Sequence, residues 1–355
     1  MYKSAVKTYL IALVATVIIL PTIVFISDPY MVFHKHWIHQ GKMIDNMRIQ
    51  SYGLIKYGKF DGIIIGTSML ENMSANEASE NLVNVRFANL SVSGGSFYER
   101  FKILDMALRT RHFKHVIMSF DYKFNQLNEA NRTFYPDLYS NNSIKGKIAV
   151  YSTDKALRCT LLNIKCDFVN IDLDRPKAWF KNNSQSRRFG GFQNWLKYAK
   201  EDYQIKEAFN YLKSNKKHYS AENIWYKQII DQEILPLFEH TDIEFSVIIP
   251  PYSALWWGKH KDNLEELFKP YQYLVEKAEK FPNVKIYWFY DEKYIFDIAQ
   301  YKDLTHYHPS INSLQLDAIK NGTNIFNTKN CQEKFADFAA KIRNFDIDQY
   351  IRQIP

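Results

Sequence analysis

The chain has 355 residues, 46 % apolar and 24 % charged, with only 12 Gly and 11 Pro, a composition that excludes disordered, collagenous and low-complexity polymers. Three cysteines cannot build a disulfide framework, although one pair plus a free thiol is open, and no Cys/His spacing reads as a zinc site. The net charge of +8 is local: residues 131–220 carry 17 Lys and Arg against 8 Asp and Glu, a net +9, leaving −1 for the rest. Such a segment either draws anionic partners (phosphate-bearing glycans, lipid headgroups or nucleic acid) or is a solvated lysine-rich surface.

Thr8 to Ser27 is a run of 20 uncharged residues rich in Ile, Val and Leu, and at 1.5 Å per residue it spans the roughly 30 Å hydrocarbon layer. Pro21 falls in its last third and Asp28 is expected to mark the exit to water. Lys3 and Lys7 precede the run, which predicts a cytoplasmic N-terminus and a body on the far side of the membrane. Ile-Val-Phe-Ile-Ser before Asp28 lacks a small-x-small cleavage pattern, so an uncleaved anchor is expected rather than a signal peptide. That topology argues against nucleic acid as a partner.

Beyond an aromatic stretch (Tyr30 to Trp37), short apolar β-like runs alternate with helical patterns. The runs are Gly62–Gly66, Val85–Val92, His115–Tyr122, Phe245–Pro251 and Val284–Tyr290. Helical stretches lie around Phe97–Arg109, Ala221–Glu239 and Asp262–Lys280. Apolar strands separated by helices predict an α/β protein with a parallel sheet covered on both faces. The organisation read from this pattern is an anchor (1–28), a juxtamembrane segment (29–59), a core (60–125 and 221–325), a basic and partly helical insertion or cap (126–220), and a C-terminal helical segment (326–355).

In such sheets the sites form beyond the carboxyl ends of the strands. The first strand runs into Gly66-Thr67-Ser68, where a glycine allows a tight turn and a serine at a helix N-terminus exposes its hydroxyl and its N–H; an N-cap role for Thr67 or Ser68 is the plain alternative. The second runs into Asn89-Leu90-Ser91-Val92-Ser93-Gly94-Gly95, whose glycines permit a close backbone approach and a second N–H donor, or simply a turn. Asp303-Leu304-Thr305-His306 can present an imidazole to a serine while the carboxylate holds the other ring nitrogen. Tyr252 follows the fourth strand at the expected rim. Trp256-Trp257 read as core or as a stacking surface for a sugar, Arg187-Arg188 as an anion grip or a solvated loop, and His34, His36 and His39 as a metal set only if a matching ligand existed. Cys159 and Cys166 can pair if the body is exported, or remain core thiols; Cys331 has no partner in view.

Taken together, a turn serine, a glycine turn after the second strand and a late Asp-x-x-His resemble the SGNH (GDSL) hydrolases over roughly residues 60–125 and 243–320. The resemblance implies a flavodoxin-like three-layer α/β/α fold. It makes Ser68 the nucleophile, His306 the general base, Asp303 its orienting carboxylate, and the N–H groups of Ser68 and Gly94 the oxyanion hole. Thr67 stands where the family has Asp, as in membrane-anchored members near the D-alanyl lipoteichoic acid transfer protein and the alginate O-acetyltransferase-like proteins. The third block, Gly-x-Asn-Asp, is replaced by Phe120-Asp121-Tyr122-Lys123-Phe124-Asn125, leaving Asn125 or Asn89 to supply a side-chain donor. By this resemblance the chain is a membrane-tethered serine O-acyltransferase, acetyl being the expected group, that acts on a cell-envelope glycan with the donor supplied by a multi-pass membrane O-acyltransferase. The other readings are an esterase of the same fold and a non-catalytic envelope scaffold. No cofactor is called for.

Overall fold

Seven strands occur among the described residues of the computed structural model, which are 2–121, 133–140, 143–162, 166, 168–170, 186–214, 225–290 and 292–355. They are β1 (Lys42–Ile44), β2 (Gly62–Ile65), β3 (Phe87–Asn89), β4 (His115–Ser119), β5 (Phe168–Asn170), β6 (Glu244–Ile249) and β7 (Val284–Trp288). By its contacts the chain forms two units, one of Met1–Lys59, Lys102–Arg111 and Ala130–Asp172, the other of Phe60–Phe101, His112–Glu129 and Leu173–Pro355.

In the first unit the helix Tyr2–Ser27 contains Pro21 and carries a stretch, Ser4–Ser27, of mean hydropathy 2.7, long and apolar enough to cross a bilayer. Most of its apolar side chains are exposed, Val17 and Ile18 among them. Asp28 does not mark an exit to water. It is fully buried, its carboxylate accepting the N–H groups of Val32 (2.9 Å), Phe33 (2.8 Å) and His34 (2.9 Å) and the Tyr151 hydroxyl. A buried carboxylate is tolerable when its lone pairs are filled in this way. The unit also holds an antiparallel β1/β5 pair and a Cys159–Cys166 disulfide.

In the second unit the five apolar runs all form strands, in one parallel sheet of order β3-β2-β4-β6-β7. Counted in chain order, this is the 2-1-3-4-5 arrangement of flavodoxin-like sheets, with its switch point between the first and third strands. Gly-Ile-Ile-Ile of β2 is buried throughout, as β-branched residues covered on both faces should be. One face packs Ile64, Ile117, Ile248 and Tyr287 against Leu70, Met73, Ala75 and Ala78 and against Leu316 and Ile319, which brings in the helices Ala75–Asn81 and Pro309–Asn321. Trp288, next to Tyr287 and so on the opposite face, meets Phe268 (5.9 Å between ring centres), Phe326 (4.7 Å) and Phe338 (5.9 Å). Phe268 and Phe338 belong to the helices Leu264–Ala278 and Cys331–Arg343. The run at Val85–Val92 yields a strand only at β3, because past Asn89 side chains take over the bonding; the backbone still tracks β2 through Leu90 N–H to Ile64 O (2.8 Å) and Val92 N–H to Gly66 O (2.8 Å).

Candidate active site

Ser68 stands in a tight turn at the carboxyl end of β2, not at a helix N-terminus; the next helix begins at Ala75, capped by Ser74. The turn advances by short bonds, Leu70 N–H to Thr67 O and Met73 N–H to Leu70 O. It is braced from below by Asn89, whose amide donates to the carbonyls of Leu70 (2.7 Å), Met73 (2.8 Å) and Glu71 (3.4 Å), while its oxygen accepts the Ser91 N–H (3.0 Å). Asn312 adds a bond to Met69 O (3.1 Å). The turn is possible because residue 66 is glycine: a Cβ there would stand 2.5 Å from the Ser119 Oγ and 2.8 Å from Leu70. The Gly66 N–H is bonded to the Ser91 hydroxyl (3.1 Å), which ties the first two strand ends together.

His306 is delivered by a loop closed at its base by Tyr301 and Tyr307, both fully buried and paired across it. Ser253 fastens the loop to the end of β6 by donating its hydroxyl to Leu304 O (2.6 Å), and the Tyr301 hydroxyl donates to Pro251 O (3.0 Å). Within it, Asp303 Oδ1 accepts the N–H groups of Thr305 (3.0 Å) and His306 (2.9 Å), and its two oxygens lie 2.9 and 2.8 Å from His306 Nδ1. An ionised carboxylate only accepts, so Nδ1 carries a proton toward Asp303, and in the neutral imidazole Nε2 is then the bare nitrogen. Nε2 lies 2.7 Å from the Ser68 Oγ, which therefore donates to it. Burial by itself would push the Asp303 carboxyl up, but the His306 imidazole, the Lys302 ammonium and the backbone N–H hold it well below the usual carboxylate range. Lys302 is itself buried, and that burial brings its pKa down to about 8 against the upward pull of Asp303.

Ser68, His306, Thr67, Met69, Ser93, Gly94, Asp121, Tyr252, Trp256 and Thr305 line a cavity of about 380 Å³. Gly94 has φ +61°, the left-handed region that glycine enters without strain. Among the described residues, neither its N–H nor that of Ser68 has a hydrogen-bond acceptor. Two free donors beside a serine hydroxyl can receive an oxyanion. Ser68 is thus brought from 238 residues away into one hydrogen-bonded row with His306 and its neighbour Asp303, and Gly94 and Tyr252 stand beside them. Asn89 is placed behind the turn with its amide fully engaged, so it braces the site instead of facing the cavity. Asn125 lies outside the described residues.

Trp256 and Trp257 separate. The first is in the cavity wall against Tyr252 (5.1 Å), whereas the second packs in the core with Tyr290 (5.1 Å) and Phe338 (5.1 Å). Arg187-Arg188 form neither an anion grip nor a solvated loop: Arg188 is buried and paired with Asp202 (2.7 Å), and Arg187 faces Asp202 at 3.6 Å. His34 and His36 bond to the carbonyls of Phe25 and Pro29, and no cluster of metal-ligating side chains occurs among the described residues. Asp121 escaped the sequence reading although it lies two residues past β4, where the strand-end rule points. Comparison with known proteins finds no matching family model, no matching curated protein and no matching solved structure.

Proposed function

We propose that the chain is a membrane-anchored serine acyltransferase of the SGNH type, acting outside the cytoplasm on hydroxyl groups of an envelope polysaccharide. The observation that carries this reading is the row Ser68 Oγ, His306 Nε2 at 2.7 Å, and His306 Nδ1 to Asp303 at 2.8 Å. In this scheme His306 takes the Ser68 proton as Oγ attacks the ester carbonyl, and the carbonyl oxygen turns toward the Ser68 and Gly94 N–H groups. His306 then protonates the departing alkoxide, and Asp303 keeps the imidazolium oriented throughout. The acceptor hydroxyl then gives its proton to Nε2 and attacks the acyl carbon, and the departing Ser68 Oγ takes that proton back from Nε2. The apolar helix Tyr2–Ser27 supports a tether near the bilayer where acyl donors emerge, and the Cys159–Cys166 disulfide supports an oxidising side of the membrane. The five-stranded parallel sheet with helices on both faces is the scaffold this family reading requires.

The test is to treat the full-length protein in detergent with a fluorophosphonate and with p-nitrophenyl acetate. Labelling at Ser68, acetyl release, and loss of both in Ser68→Ala are expected. An unlabelled Ser68 in protein that is folded by circular dichroism refutes the enzyme reading. Transfer is then read by whether an added glycan captures acetyl in preference to water.

A further inference from the structure

A second cavity, of about 320 Å³, lies in the first unit where the long apolar helix ends. Its wall is made by Ile23, Ile26 and Ser27 of that helix, by Ile38 and His39, and by Cys159 and Thr160. Asp28 shapes one side: by accepting the N–H groups of Val32, Phe33 and His34 it turns the chain back, and the His34 ring comes to lie 5.0 Å from that of Phe25. The other side is the helix Asp154–Leu162, which packs on the helix Tyr2–Ser27. The Cys159–Cys166 disulfide ties it to the stretch that leads into β5, whose Phe168 ring stands 4.5 Å from that of His39.

The lining carries no formal charge. Ser27 and Thr160 are hydroxyls, the disulfide is neutral, and burial holds the His39 imidazole below its ordinary pKa, with His36 and Lys42 adding to the effect. The Thr160 hydroxyl donates to Ala156 O (2.7 Å), and the Ser27 hydroxyl stands 3.4 Å from His39 Nε2, so these polar atoms meet partners within the wall. An anionic or polyhydroxylated guest would face isoleucine and sulfur in place of hydrogen-bond partners. An apolar cavity of about 150 Å³ already stays dry and takes up an apolar guest, and this one is twice that size. Ile23, Ile26 and Ile38 are exposed, so the cavity opens outward, and the first two belong to the Ser4–Ser27 stretch that is long enough to cross a bilayer. A cation stands next to it: Lys42 is exposed, and its N–H bonds to His39 O (3.1 Å). We propose that this cavity holds one acyl chain of a membrane glycerophospholipid, whose phosphate is drawn to Lys42. This rests on Tyr2–Ser27 being the membrane tether of the reading above and is independent of the chemistry at Ser68.

The full-length protein, purified in a steroid detergent that has no flexible alkyl chain, is titrated with palmitoyl-oleoyl phosphatidylglycerol while native mass spectrometry counts the bound lipid. One lipid per chain should survive dilution. Ile38→Glu, which sets a charge on an exposed side chain at the opening, should weaken binding about tenfold or more. Ile148→Glu, a similarly exposed isoleucine outside the lining, should leave it unchanged. Lys42→Gln should weaken it about fivefold, the worth of one lysine beside an anionic lipid, and dioleoylglycerol, which lacks the phosphate, should bind native protein and Lys42→Gln alike. A phosphatidylglycerol with a diazirine in its acyl chain should attach, on illumination, to native peptides holding Ile38 or Thr160, a readout that needs no variant. No retained lipid in protein that stays dispersed only in detergent overturns the cavity assignment and leaves the tether standing, as does equal binding by Ile38→Glu and Ile148→Glu. Equal affinity of the native protein for the two lipids overturns the role of Lys42. Protein that is soluble without detergent overturns both the cavity assignment and the tether.

Discussion

Asn89→Asp is the sharpest probe of how Ser68 is held. The change keeps size and shape, and Oδ1 can still accept the Ser91 N–H at 3.0 Å. The amide nitrogen, however, becomes an oxygen facing the carbonyls of Leu70 at 2.7 Å and Met73 at 2.8 Å. Two buried carbonyls lose their donor, each costing about 1–3 kcal/mol, so the loss is about 2–6 kcal/mol before any repulsion between the new oxygen and the carbonyls. The cost falls on the turn that carries Ser68. Unfolding in urea followed by tryptophan fluorescence should show the lost stability, and the rate of Ser68 labelling by a fluorophosphonate should fall along with it. A variant within 1 kcal/mol of the native protein and labelled at the native rate refutes the bracing role of Asn89.

Two further outcomes follow from the loop that delivers His306. Asp303→Asn removes the carboxylate that fixes the proton on Nδ1, and acetyl release from p-nitrophenyl acetate should drop about 10³- to 10⁴-fold with little change in fold, the size of effect seen when a triad acid is made an amide elsewhere. Lys302, with its pKa brought by burial from 10.5 to about 8, carries its proton in both folded and unfolded chains below pH 8 and weakens the fold there; as pH rises toward 10.5 the folded chain sheds that proton first, so the native protein should gain up to about 3 kcal/mol relative to Lys302→Met. Urea midpoints of the two proteins at pH 7 and pH 10 check this, and parallel midpoints would contradict it.

Much of the sheet was legible in the sequence because a strand covered on both faces must be apolar at nearly every position, and Gly-Ile-Ile-Ile or Phe-Ser-Val-Ile-Ile has few other uses. The hydrogen-bonded row of Ser68, His306 and Asp303 was legible for a similar reason. Each follows a strand or sits on a short late loop, and Asp-x-x-His has the local spacing that lets one carboxylate reach the ring beside it. What could not be read was the direction in which polar side chains point. Asn89 looked like a cavity donor and is a brace, Asp28 looked like a solvent marker and is buried, and Arg188 looked like an anion grip or a solvated residue and is buried against Asp202. In each case a polar group near the end of an element has two possible destinations, water or a neighbouring backbone, and only the packed chain decides between them.

Asp121 shows the same division. Its identity and its place after β4 are properties of the sequence alone. That one of its oxygens is spent on Arg100 and Ser119 is decided by the helix that starts at Phe97 and by the end of β4. The linear chain determined the long apolar helix, the strands and the residue types at their ends, because those depend on hydropathy and local geometry. The tertiary structure decided which of those polar atoms are satisfied and which stay available for chemistry, because hydrogen-bond partners distant in the chain meet only after the sheet has formed.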